Sequence, residues 1–159
     1  MIKARAIMTE NVITAREDAT IDEAAKMMLN KHVKSLVVAK DLKPIAIVTQ
    51  RDLIKGSLNK TPGKVKIKSI MNKNFLAVNP NTNYLFIVKK LKEGEISRFP
   101  VVGHDKLVGI ITETDIVDAT RDFTRFHQIM QEVILAIFGL VTAFVLFYFS
   151  PLGQSILWG

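Results

Sequence analysis

Ile47-Val48-Thr49-Gln50-Arg51-Asp52-Leu53-Ile54 recurs 63 positions later as Ile110-Ile111-Thr112-Glu113-Thr114-Asp115-Ile116-Val117. A repeat at such a period is a supersecondary unit used twice, so the chain must fold as two small copies that bury their apolar faces together. The same offset pairs Met8 with Met71, Asn11 with Asn74, Lys26 with Lys89, Leu36 with Phe99, Val38 with Val101 and Ile45 with Val108. About one residue of slack is expected between positions 14 and 28.

A core explains the apolar positions of the octapeptide, but not a Thr and an Asp kept three apart in both copies. A short apolar run followed by Thr-x-x-Asp reads as a strand entering a helix. There Thr is a candidate N-cap, and Asp in the first turn complements the positive end of the helix dipole. The same placement also puts a hydroxyl and a carboxylate at one strand end, where a ribose diol could donate to the carboxylate and a phosphate could sit near the helix N-terminus. The residues leave both readings open.

One template fits each copy. In the first, an extended segment near residues 12–14 leads to Thr20-Ile21-Asp22-Glu23, a capping box that opens a helix over about 21–31. Strands follow at 36–39 and 44–48 around a turn at 41–43, then a helix over about 51–57. The second copy repeats this as a strand at 76–78, a helix at 83–93, strands at 98–102 and 107–111 around a turn at 103–106, and a helix from Glu113. The fold class is α+β: two tandem β-α-β-β-α repeats packed with pseudo-twofold symmetry.

Charge is unevenly spread. Residues 1–74 carry 15 Lys+Arg against 7 Asp+Glu, whereas residues 75–159 carry 7 against 8. Six lysines and no acid lie between Leu53 and Asn74, around Thr61-Pro62-Gly63, which reads as a solvated basic linker or as an attraction to anionic headgroups or nucleic acid. No aromatic residue interleaves these lysines, so base stacking has no platform there and nucleic acid is disfavoured as a partner. Cysteine is absent, which excludes disulfides and thiolate metal sites. The opening Met1-Ile2-Lys3-Ala4-Arg5 predicts no secretory signal.

The Met-Thr/Asn openings, the Ser35-Leu36-Val37-Val38 and Arg98-Phe99-Pro100-Val101-Val102 strands and the two Thr-x-x-Asp endings resemble a tandem pair of CBS domains, named after cystathionine β-synthase. The resemblance spans residues 1 to about 122. It implies two clefts between the copies that take an adenine nucleotide as regulatory ligand, with no cofactor required, and modules that pair as homodimers. Carried over position by position, it implies Thr49 and Asp52 for one cleft and Thr112 and Asp115 for the other, with Asp on the ribose and Thr near the phosphate. Arg98 falls where relatives place an arginine on the phosphates, and Ser35 holds that place in the first copy. Ile13, Val37, Ile47, Ile110 and the backbone of Phe99, Pro100 and Val101 would line the adenine slot. The glycine usual in the second hairpin strand is kept as Gly109 but replaced by Ala46, and Thr14 is matched by Ala77. Because a guanidinium fork holds phosphate more strongly than a neutral hydroxyl, the Asp115 cleft with Arg98 is expected to be the tighter site, with Arg51 and Lys34 compensating in the other.

Residues 133–158 carry no charge, and residues 133–149 are apolar on every face. Such a helix spans about 25 Å over those positions, and about 30 Å to Leu152, enough for a bilayer's hydrocarbon core. The expected organisation is a first repeat over 1–58, a linker over 59–68, a second repeat over 69–122, a juxtamembrane helix over 123–132, a transmembrane helix over 133–152 and a tail over 153–159. Arg121 and Arg125 precede the span and no cation follows it, which predicts a tail-anchored, single-pass protein with its repeats in the cytoplasm. Tyr148 and Trp158 suit the far interface, and Gly139 with Ala143 forms a small-xxx-small pair.

Catalysis finds no machinery. His32, His104 and His127 are scattered, no carboxylate cluster has metal-ligand spacing, and no Gly-rich phosphate loop occurs. Three readings follow: a membrane-anchored nucleotide sensor acting on a membrane protein partner, a ligand-independent dimerising scaffold at the membrane, and a nucleic-acid binder using the basic linker.

Overall fold

A computed structural model describes residues 2–58, 64–94 and 96–149. It divides into two units, Met1–Val117 and Asp118–Gly159. The first unit holds both repeats. Its first copy contains β1 (Thr14–Ala15), α1 (Ile21–Asn30), β2 (Ser35–Lys40), β3 (Lys43–Thr49) and α2 (Gln50–Leu58). The second copy contains α3 (Tyr84–Lys92), β4 (Arg98–Gly103), β5 (Lys106–Thr112) and the first turn of α4 (Glu113–Phe149).

Local chemistry sets these limits. Thr20 caps α1 in the expected box: its hydroxyl accepts from the Glu23 N–H at 3.2 Å, and the Glu23 carboxylate accepts from the Thr20 N–H at 2.8 Å. The Thr20 N–H and the Thr20 hydroxyl, which also donates to that carboxylate at 3.1 Å, hold the Glu23 carboxyl below the ordinary carboxylate range. Asn83 caps α3 more simply, accepting from the Leu85 N–H at 3.0 Å. Each hairpin closes through two residues with positive φ, Asp41 (50°) with Leu42 (63°) and His104 (50°) with Asp105 (60°), the handedness that matches strand twist.

The two copies differ at the expected strand over 76–78, which is reduced to one parallel bridge between Val78 and Val101. Proline explains the loss. In the first copy the Val37 N–H donates to the Ile13 carbonyl at 3.2 Å, extending β1 beside β2. The equivalent of Val37 is Pro100, which has no N–H to offer Leu76. The first copy thus has a three-stranded sheet, β1-β2-β3, and the second a β4-β5 pair.

The packing crosses the boundaries of the repeats. Ala4, fully buried, and its neighbours Ile7 and Met8 join the core of the second copy, around Val78, Ile87, Phe99, Val101, Ile111 and Ile116. Val65, Ile67, Ile70 and Met71, which lead into the second copy, complete the core of the first, around Ile21, Ala24, Met28, Leu36 and Val48. The backbone repeats this exchange bond for bond. Ala4 N–H donates to Thr82 and Ile67 N–H to Ala19, both at 2.8 Å; Thr9 exchanges two hydrogen bonds with Ile110, and Asn72 two with Ile47. The offset of 63 holds at Ala19 with Thr82 and at Ile21 with Tyr84, while the bonds that close the helices, His32 N–H to Leu29 and Gly94 N–H to Leu91, stand 62 apart, so the one residue of slack falls at the helix ends, α1 being one residue longer than α3. Each copy alone lacks part of its own core.

In the second unit, α4 continues as a helix to Phe149. Its apolar side chains are exposed, Phe138 at 70% and Leu140 at 72%, and the helix is long and apolar enough to cross a membrane. Tyr148 stacks on Phe144 with ring centres 6.4 Å apart, and Thr142 donates back to the Phe138 carbonyl. Trp158, the end of the expected span at 150–152 and the first half of the basic linker, residues 59–63, lie outside the described residues.

Two outcomes follow from the exchange and the cap. Ile67→Ala, which truncates a fully buried residue of the first copy's core, should destabilise the protein by about 3 kcal/mol in denaturant titration. Because the Glu23 pKa is lowered on folding, its stabilisation is complete above the ordinary carboxylate range and lost as pH falls through the lowered value. The gap in Tm between wild type and Glu23→Gln should therefore close on acidification below about pH 4.

Candidate functional site

Both Thr-x-x-Asp pairs form the capping arrangement at a strand-to-helix junction. At the start of α2 the Asp52 Oδ2 accepts from the Thr49 N–H at 2.8 Å and from the Thr49 hydroxyl at 2.7 Å, while Asp52 N–H donates to Thr49 Oγ1 at 3.3 Å. At the start of α4 the Asp115 Oδ2 accepts from the Thr112 N–H at 2.7 Å and the Thr112 hydroxyl at 2.6 Å. Capping uses one carboxylate oxygen in each pair and fixes where the other sits.

The second oxygens differ. Asp115 Oδ1 accepts from the Thr9 hydroxyl at 3.0 Å, a bond carried by the segment that completes the second copy's core. Among the described residues, Asp52 Oδ1 accepts no hydrogen bond. A carboxylate oxygen offers two acceptor directions, so Asp52 keeps capacity for a donor such as a sugar hydroxyl.

Asp52 opens onto a cleft of about 640 Å³ between the copies, a size ordinary for a small-molecule site. Thr49, Arg51, Lys34, Lys55 and Ile47 line it from the first copy, and Arg98, Ser97, Ile96 and Glu113 from the second. Asn72, Asn74 and Phe75 close it from the segment joining them. Its wall carries four cations and two carboxylates.

The expected grouping set Arg98 with Thr112 and Asp115; the cleft that Arg98 lines is the one holding Thr49 and Asp52. Arg98 begins β4 directly opposite Thr112, yet it lines the Thr49–Asp52 cleft, and its Nη1 donates to Ser97 Oγ at 2.8 Å. The cause is the packing of β3 against β5, which brings the first residues of β4 to the mouth of the other copy's strand-to-helix junction. Ser35 lies half-buried opposite Thr49 on β2. Of the residues expected to line an adenine slot, Ile47 is on this wall. Val37 and Pro100 are fully buried, their N–H and carbonyl respectively used by the sheet. Ile13 packs on the first core, Thr14 is exposed on β1, and Ile110 pairs with Thr9. Phe75, Lys55, Asn72 and Glu113 were not anticipated. Phe75 matches Val12 across the repeat, so only a search for departures from the repeat would have marked it.

Comparison with known proteins agrees with this architecture. The family model described as CBS domain matches residues 4–59 and 67–122. The chain is 34% identical over 114 residues to the uncharacterized protein MJ1225 of Methanocaldococcus jannaschii, covering 71% of this chain and 41% of that protein. It is 31% identical over 119 residues to a homoserine O-acetyltransferase of Methanohalobium evestigatum, covering 74% of this chain and 24% of that protein. The chain thus spans less than half the length of either relative. Among solved structures, the CBS domain pair of protein MJ0100 in complex with 5-methylthioadenosine and S-adenosyl-L-methionine superposes with a TM-score of 0.69 at 26% identity, over 77% of this chain and 98% of that one.

The crossing segment also explains the glycine kept in one copy. A Cβ at Gly109 would lie 2.7 Å from Met8 Sδ and 3.2 Å from the Thr9 carbonyl. Gly109→Ala should therefore displace the leading segment and cost about 1 kcal/mol in denaturant titration.

Proposed function

Because this chain belongs to the CBS-domain family, we propose that it is a membrane-anchored, non-enzymatic sensor that binds an adenine nucleotide between its repeats and modulates a protein partner in the membrane. The observation that carries the reading is the cleft itself. It combines a carboxylate oxygen free to accept from a ribose diol, apolar faces at Ile47, Ile96 and Phe75 for a base, and cations at Arg51 and Arg98 for phosphate. The adenosine compounds held by the MJ0100 pair support the ligand class. The second site centres on Thr112 and Asp115, where a ligand must displace or share the Thr9 hydroxyl.

Signalling requires the ligand to favour one arrangement of the copies over another. A molecule held by Asp52 of one copy and Arg98 of the other meets that requirement, because its binding energy depends on their relative placement. Homodimers extend the same logic: Leu29, Ile54 and Leu58 are 70%, 61% and 76% exposed, an apolar surface suited to a second copy. Anchoring rests on the uncharged stretch from residue 133, with Arg121 and Arg125 before it holding the repeats on the cytoplasmic side.

Thermal unfolding of the detergent-solubilised protein tests the ligand. At a concentration of 100 times its Kd, an adenine nucleotide should add about 2.7 kcal/mol of stability. Asp52→Ala should lower that gain to what the second site supplies while leaving the unliganded protein folded, and equal gains in variant and wild type would refute the site. The anchor is tested by alkaline carbonate washing of membranes, after which the protein should stay in the pellet.

A further inference from the structure

Along α4 the apolar residues Ile116, Ala119, Phe123, Phe126, Met130 and Val133 recur at alternating steps of three and four. Apart from Val117 and Ile129, every other residue between them is polar. Ile116 is buried in the core of the second copy. Further along the same line Phe126 is 61% exposed and Met130 41%. The steps then run on without a break through Ile137, Leu140, Phe144 and Phe147, into the stretch that is long and apolar enough to cross a membrane.

A helix that covers a globular core or lies on a bilayer surface carries a broad apolar face. A stripe of two positions in every seven is instead the seam along which two helices wind about each other. The flanks of this stripe agree with such a pairing. Between residues 119 and 132 they are Thr120, the aspartate at 122, His127 and Ile129, while Arg121, Arg125 and Glu132 fall on the far side of the helix. In a parallel pair position 122 of one helix comes beside position 127 of the other, so an acid meets an imidazole and no like charges oppose each other. A second copy of α4, entering the membrane from the same side, carries the same line at the same height.

Resting on the reading that α4 spans a bilayer, we propose that its residues 119–147 pair with the same helix of a second copy as a parallel coiled coil. Phe126 and Met130 hold the pair together, because burying apolar surface drives association in water, whereas helices within lipid gain only packing. Gly139 and Ala143 lie off the line, so their small side chains are not what joins the helices. The seam is also separate from the apolar surface at Leu29, Ile54 and Leu58.

Because the chain has no cysteine, one introduced thiol reports how close two copies come at that position. In purified full-length protein reconstituted into phosphatidylcholine vesicles, mild oxidation should join Phe126→Cys chains and Met130→Cys chains into disulfide-linked dimers. Arg125→Cys and Gln128→Cys should link only weakly. Phe126→Ala should raise the dissociation constant of the pair, read by energy transfer between fluorescently tagged copies, at least about tenfold. Gln128→Ala and Gly139→Leu should leave it unchanged, and an unaltered circular dichroism spectrum excludes a folding defect in each variant. Equal cross-linking at all four positions, or strong cross-linking only at Gly139→Cys and Ala143→Cys, would overturn the seam. So would the absence of cross-links, which would leave the stripe to lipid or to another protein's helix. Cross-links that follow the seam in protein that fails to enter the vesicles would keep the helix pair and refute the anchor.

Discussion

Each repeat completes its core with the segment that leads into the other. Ala4, Ile7 and Met8 pack in the second copy and Val65, Ile67 and Ile70 in the first, so neither copy buries a full apolar core alone. A unit of this size cannot bury enough surface to offset the entropy of ordering its chain, and reciprocal exchange is one way around that limit. The cleft is a consequence. Asn72 is tied to Ile47 by two backbone hydrogen bonds, which carries Phe75 across to the first copy and sets Arg98 at the mouth of the Thr49–Asp52 junction.

Near-symmetry then makes the departures from it informative. Pro100 removes the donor that Val37 uses, shortening the second copy's first strand to a bridge. Gly109 gives Met8 room that Ala46 does not need to provide, and Thr9 occupies an oxygen of Asp115 that in Asp52 stays uncommitted. The same scaffold thus presents one carboxylate already engaged and another beside four cations.

Much of this was legible in the residues. The 63-residue offset, the Thr20 capping box, both hairpins and the apolar stretch from residue 133 rest on local patterns, and local patterns are what a sequence displays directly. The exchange of leading segments was not legible, because it is decided by contacts between parts of the chain far apart in sequence. The cleft that Arg98 lines was hidden for the same reason. Strand pairing with Thr112 is local to the copy, whereas the cleft that Arg98 lines is built across copies. The capping role of Thr49 and Thr112 was readable, but not which carboxylate would retain a spare oxygen, since that depends on Thr9.

One cleft joins the Asp52 carboxylate of the first copy to Arg98 of the second, the two groups proposed to take the ribose and the phosphates of one nucleotide. The most direct measurement is an experimental structure of the full-length protein with ATP bound. Ribose hydroxyls should donate to Asp52 Oδ1, the base should lie against Phe75 and Ile47, and Arg51 and Arg98 should hold the phosphates. A nucleotide bound elsewhere, or one in this cleft with its phosphates turned away from Arg98, would contradict it.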